Sequence, residues 1–233
     1  MPLFALLTLL LTAGLAYATY RSAQLLPLLP RDTNLLLNPV DLGARLVLCL
    51  VCWGLGGLSG IGPTALGWTA ETPVADLALG LAVGILAHVV LYPLTLWAAQ
   101  RLGPRAYSSL LLRHIVPRSA HEWALVPLVL VPAVLLEELL FRSLWLGGLG
   151  AMLTAAWPGG LGPLLFLSIV SAAIFGWMHA PQGWLGMVLA ALIGLGLSLL
   201  FLWRGSLLAP LAAHWVFNVV QLARADGALT IDD

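Results

Sequence analysis

Six polar side chains stand inside runs otherwise apolar enough for a lipid interior. They are Glu137, Glu138 and Arg142 within "VLLEELLFRSLWLGG", His179 closing "FGWMH", and His214 with Asn218 in "HWVFN". A carboxylate, two imidazoles and a carboxamide are the groups needed to take a proton from water, relay it and donate hydrogen bonds to a developing oxyanion. Polar groups at membrane depth are costly, so function is sought there first. Glu138 and Arg142 are four residues apart and can pair along one side of a helix, neutralising charges that hydrocarbon would not tolerate singly. Glu137 lies about 100° further round the same helix and has no local partner. His214 and Asn218 share a face at the same spacing, as do Phe175 and His179, and Pro181 and Gly183 end the helix that carries His179. A network that merely ties helices together would not need an unpaired carboxylate, two imidazoles and a carboxamide at once.

The elements that must position these groups are transmembrane helices. Of the 233 residues 61% are hydrophobic and 9% charged, and the mean hydropathy is +1.01, values of an integral, multi-pass membrane protein. Apolar segments near 3–20, 42–60, 74–99, 123–148, 162–179, 184–203 and 207–222 are each long enough to cross a core of about 30 Å. The expected fold is an all-α polytopic bundle of about seven helices; continuous apolar runs without two-residue alternation exclude a membrane β-barrel. The chain divides into N-terminal helices and an amphipathic loop (1–122), a core bearing the six polar residues (123–224) and a short tail (225–233). The first apolar stretch lacks a basic leader and a small-residue cleavage site and reads as a retained helix. With ten basic and ten acidic residues the net charge is zero, which excludes a nucleic-acid partner held by clustered cations.

All ten basic residues are arginines. Arg21, Arg31 and Arg45 flank the first connection, Arg101, Arg105, Arg113 and Arg118 the third, and Arg224 the C-terminus, against Arg204 alone on the other side; with seven spans this implies N-terminus out and C-terminus in. Residues 104–121 suit a surface-lying amphipathic segment or a solvated loop. The rise per residue raises a conflict: Glu137 and His214 fall in the half opposite the arginine-rich side, while His179 falls nearer to it if its helix starts at Gly162. They meet only if the fifth span is offset, kinked or starts later.

Taken together and in order, "EELLFR", "FGWMH" and "HWVFN" resemble the EExxxR, FxxxH and HxxxN motifs of the CPBP family, the CAAX proteases and bacteriocin-processing enzymes. The resemblance covers roughly Trp123 to Arg224, and the first three spans match only in being hydrophobic. It implies an intramembrane endopeptidase acting on a membrane-associated protein or peptide. Its glutamate-dependent account makes Glu137 the general base assisted by His179, gives His214 and Asn218 the oxyanion, and leaves Glu138 and Arg142 as a supporting ion pair, with no cofactor. The older metalloprotease label keeps an alternative in which Glu137, His179 and His214 ligate zinc, one carboxylate and two histidines being ligand types of a catalytic zinc site. A non-enzymatic bundle that binds or transports a ligand is the competing reading.

Other features receive structural readings. Cys49 and Cys52, within one apolar span and without a second pair, are packing residues. The ten tryptophans mark an interfacial belt, Gly80 and Gly84 form a GxxxG contact, and His88, His114 and His121 take packing or interfacial places. "GLSG" at Gly57–Gly60 fits the nucleophile pattern of rhomboid serine proteases, with His88 as a conceivable base, but lacks the other polar motifs that chemistry requires.

Overall fold

The structure is a computed structural model, and it describes residues 1–30, 34–103, 106–157 and 160–225. Among these residues all regular structure is helical, and no strand occurs. The elements are α1 (Pro2–Leu25), α2 (Pro39–Leu58), α3 (Pro73–Leu102), the short α4 (Leu110–Arg113), α5 (Ala120–Glu138), a π-helix (Leu139–Leu149) running into α6 (Gly150–Ala156), then α7 (Gly162–Met178), α8 (Gly183–Arg204) and α9 (Leu208–Ala223). Five of these stretches are long and apolar enough to cross a membrane, and α7 and α9 are shorter apolar helices. An integral multi-pass bundle of about seven helices results. Arg31, Pro104, Arg105 and the tail beyond Ala225 lie outside the described residues.

Helix starts follow from capping chemistry. Pro2, Pro39 and Pro73 open α1, α2 and α3, where a missing N–H costs nothing. The Asn38 side chain accepts the Val40 N–H (2.9 Å) and the Ser119 hydroxyl that of Glu122 (3.2 Å), satisfying donors the helices cannot satisfy themselves. Outward faces are apolar, as at Leu86, Val89 and Leu192, which suits lipid.

Close approach of backbones sets the tightest packing. A Cβ on Gly80 would lie 2.3 Å from the Ala209 carbonyl oxygen and one on Gly84 2.2 Å from that of Ala213, so both glycines are obligatory where α3 crosses α9. Asp76, Gly80, Gly84 and His88 recur every four residues as the buried stripe of α3. On the opposite flank α2 runs beside α5, with the Cys49 thiol 3.5 Å from the Pro132 carbonyl. Cys49 and Cys52 are free and buried, as packing residues should be.

The depth conflict resolves through helix length. The sequence reading ends the fourth span at Gly148, whereas the helix continues to Ala156, about 12 Å further at ~1.5 Å per residue. The fifth span therefore starts further out and descends antiparallel: Gly150 packs on Leu164, and Phe141 meets Phe175 edge-to-face at 5.4 Å. One turn below Phe175 and one turn before Phe141 stand His179 and Glu137. The fifth span thus stops beside Glu137 instead of continuing to the arginine-rich end.

Candidate active site

Glu137 and Glu138 sit at the junction where α5 widens into the π-helix. That segment is buried from Leu139 to Gly148; π-turns are rare and recur at functional sites. It is clamped from the N-terminal helices: Trp145 donates to the Thr12 hydroxyl (2.9 Å), and Trp68 donates to Ser143 (2.9 Å). The first span and the loop after the second, silent at the level of motifs, thus hold the helix that carries the carboxylates.

The two glutamates point to different environments. The Glu138 side chain is fully buried, and its Oε1 receives Arg142 Nη1 at 3.1 Å and faces His214 Nδ1 at 2.7 Å. Arg142, itself 1% exposed, also donates to the Gly194 carbonyl (2.9 Å) and lies over the Phe175 ring at 5.4 Å. Pairing between Glu138 and Arg142 is as the spacing implies; the bond from His214 is not readable from it. Glu137 is one-third exposed, and its Oε2 lies 3.5 Å from His214 Nε2. The imidazole therefore bridges the two carboxylates, held closely by Glu138 and loosely by Glu137.

His179 is fixed by its own helix: its Nδ1 donates to the Phe175 carbonyl at 2.8 Å. A carbonyl can only accept, so Nδ1 carries a proton, and in the neutral imidazole the lone pair is then on Nε2. The turn that presents it is built by Ala180–Gln182 and by Gly183 at φ +82°. A Cβ at Gly183 would lie 2.5 Å from the Ala106 carbonyl oxygen, and Leu185 N–H donates to that oxygen while Ser108 N–H donates to the Gln182 carbonyl. The segment after α3 is therefore a buried brace under His179, with Ala106, Tyr107 and Ser109 almost wholly covered. Of the stretch expected to be surface-lying or solvated, residues 106–109 are largely buried and residues 118–121 are exposed; the buried part supplies partners for the peptide groups of the turn after His179.

Glu137, His179, His214 and Asn218 all line one cavity of about 260 Å³. Three helices distant in sequence thus deliver four of the six residues to one space, while Glu138 and Arg142 stand behind His214. Among the described residues no three His, Cys, Asp or Glu side chains close on a point that could hold a metal ion, so Glu137, His179 and His214 share the cavity without forming a ligand set. Ser59 serves the end of its helix instead, since its hydroxyl donates to the Gly56 carbonyl (2.6 Å) and accepts the Ile61 N–H (3.0 Å), capping α2.

Two cavity residues escape motif reasoning. His88 and Arg45 both line the space, and each has a buried nitrogen without a hydrogen-bond partner among the described residues. His88 does stack on Tyr92 (5.0 Å) and meets Phe217 edge-on (5.6 Å), a packing role as expected. Their readable signal was periodicity: His88 continues the Asp76–Gly80–Gly84 stripe, and Arg45 lies one turn before Cys49 on the buried face of α2.

Compared with known families, residues 119–220 match the model of the Type II CAAX prenyl endopeptidase Rce1-like family. Comparisons with curated proteins and with solved structures gave no match. The matched region starts at the cap of α5 and ends within α9, so it contains all six motif residues.

Proposed function

We propose that the chain is an intramembrane protease that carries out a cofactor-free, glutamate-dependent hydrolysis of a membrane-associated protein or peptide, a reading supported by the match of residues 119–220 to the Type II CAAX prenyl endopeptidase Rce1-like family. The observation that carries this reading is the convergence of Glu137, His179, His214 and Asn218 on one cavity, with His214 anchored from behind by Glu138.

The four groups divide the chemistry between them. Glu137 takes the proton from water, since its carboxylate faces the cavity and its contact to His214 is long enough to leave it available. His179 offers an Nε2 lone pair to the same water, its tautomer fixed by the Phe175 carbonyl. His214 and Asn218 donate to the tetrahedral oxyanion. For His214 this has a consequence: with Nδ1–H committed to Glu138, a donor at Nε2 requires the imidazolium. As the intermediate collapses, the proton held by Glu137 goes to the leaving amine, restoring the carboxylate.

The zinc alternative would need Glu137, His179 and His214 to draw together as ligands, and no step of the proposal passes through a metal. The test is turnover of a prenylated peptide by purified protein in detergent, with metal content measured on the same sample. Glu137→Gln should lower kcat by about 10²–10⁴ with little change in binding, because the amide keeps the shape and cannot accept the proton. Exhaustive chelation should leave the wild type active. Stoichiometric zinc together with chelator-sensitive turnover restored by zinc would sink the proposal.

A further inference from the structure

The connection between α2 and α3 packs more tightly than a linker needs to. Leu66 is 0% exposed. Its loop closes on itself, with the Leu66 N–H donating to the Gly62 carbonyl (3.2 Å), Gly67 to Thr64 (3.0 Å) and Trp68 to Pro63 (2.8 Å). Gly67 turns at φ +73°, where a Cβ would collide with the Phe201 ring, and its carbonyl accepts the Leu207 N–H at 2.9 Å. The Trp68 ring lies in the notch left by Gly56, where a Cβ would come within 2.6 Å of it. Fixed at once on α2, on α8 and on the start of α9, the loop is a rigid arm.

That arm ends on the π-helix. Trp68 Nε1 donates to Ser143 Oγ at 2.9 Å, and a Cβ on Gly147 would collide with the Ala65 carbonyl oxygen. Ser143 is sealed from solvent and directly follows Arg142, the partner of Glu138. π-turns close i→i+5 instead of i→i+4 and are mostly confined to a single turn, so eleven residues of them need contacts from outside to persist. Relaxation to α-turns would rotate Ser143 and Gly147 away from the arm, or else rotate Glu137 and Glu138 at the other end. While the arm grips Ser143, the carboxylates keep their heading.

Resting on the proteolytic reading, we propose that Trp68 is a positioning residue, whose hydrogen bond to Ser143 sets the turn of the π-helix and thereby the angle at which Glu138 meets His214 and Glu137 meets the cavity. Neither Trp68 nor Ser143 lines that cavity. The influence runs along the chain from Ser143 to Arg142, across the ion pair to Glu138 and on to His214 Nδ1, 2.7 Å away. The Trp145–Thr12 bond grips the same segment further on, whereas the Trp68 bond lands beside Arg142. A substrate touches neither partner, so the bond bears on the chemical step and leaves binding alone.

The experiment uses full-length protein in lipid nanodiscs carrying W68F, S143A or both. W68F keeps an aromatic ring and loses the donor; S143A keeps the backbone and loses the acceptor. With a prenylated peptide each single variant should lower kcat about tenfold at unchanged KM, the size of one hydrogen bond, and the double variant should fall no further than either single. A second readout needs no turnover. The ¹⁵N resonance of His214 Nδ1, assigned by its absence in H214Q, reports the bond to Glu138 and should move in the same direction in W68F and S143A. A resonance that stays in place overturns the proposal, as do additive losses in the double variant. So does a lowered unfolding midpoint with wild-type kcat per folded molecule, the mark of a merely structural clamp. Failure of the proteolytic reading looks different: wild-type protein would leave the peptide uncut while the His214 resonance still answered to Trp68.

Discussion

Two ion pairs within the bundle are built to opposite ends, one joining helices far apart in the chain and the other lying within one turn of a single helix. Near the outer end of the bundle Asp76 receives Arg204 Nε at 2.6 Å, and Arg204 Nη2 donates to the Thr72 hydroxyl at 2.7 Å. This pair ties the start of α3 to the end of α8, and the arginine remains 27% exposed. At mid-depth Glu138 and Arg142 are both sealed from solvent, but Glu138 Oε2 and Arg142 Nε lack partners among the described residues, and the pair passes its order on to His214. The outer pair ends in itself, whereas the inner one holds an imidazole against a cavity. The same charge types therefore fasten two helices in one region and hold a cavity-lining imidazole in the other.

The sharpest way to break this contrast is Arg142→Ala, which strands Glu138 in a sealed site. Loss of one partner of a buried pair costs about 3–5 kcal/mol, so the variant should show reduced abundance and a lowered unfolding midpoint as well as lost turnover. A variant that accumulates normally and cuts at the wild-type rate removes the supporting role. Next in size, Asn218→Ala should lower kcat by the equivalent of about 2.7–4 kcal/mol, with KM nearly unchanged, if it donates one oxyanion hydrogen bond. Steady-state kinetics in detergent reads this directly, and a change confined to KM would make Asn218 a binding residue. Asp76→Ala is expected to cost less, about 1–3 kcal/mol of stability, because Arg204 can turn to water. Its activity per folded molecule should equal that of the wild type, and a fall in kcat comparable to that of Arg142→Ala would erase the distinction between the pairs. The smallest perturbation is a reporter fused after Arg224, which should read as cytoplasmic and place the arginine-rich end, including the Arg45 side of the cavity, inside; a signal from the other side inverts the topology.

The four-residue spacings were enough to pick out side chains that share a helix face, because a helix places residues i and i+4 on one face whatever surrounds it. Glu138 with Arg142, and His214 with Asn218, were legible for that reason, as was the bundle itself from its apolar lengths. Local spacing could not show that Glu138 also holds His214, 76 residues away, since that contact depends on how α9 packs across α5. Nor could it show that residues 106–109 brace the turn after His179. That turn is buried at depth, and its peptide groups take partners from wherever the chain passes.

Sequence alone determined the fold class, the membrane location and the candidate polar residues, since composition and helical period act through neighbours along the chain. The tertiary structure decided which glutamate faces the cavity, how deep the fifth span sits and where Arg45 and His88 point. Those outcomes rest on an eight-residue extension of one helix and on glycine contacts between α3 and α9, and a contact between helices far apart in the chain leaves no local period to read.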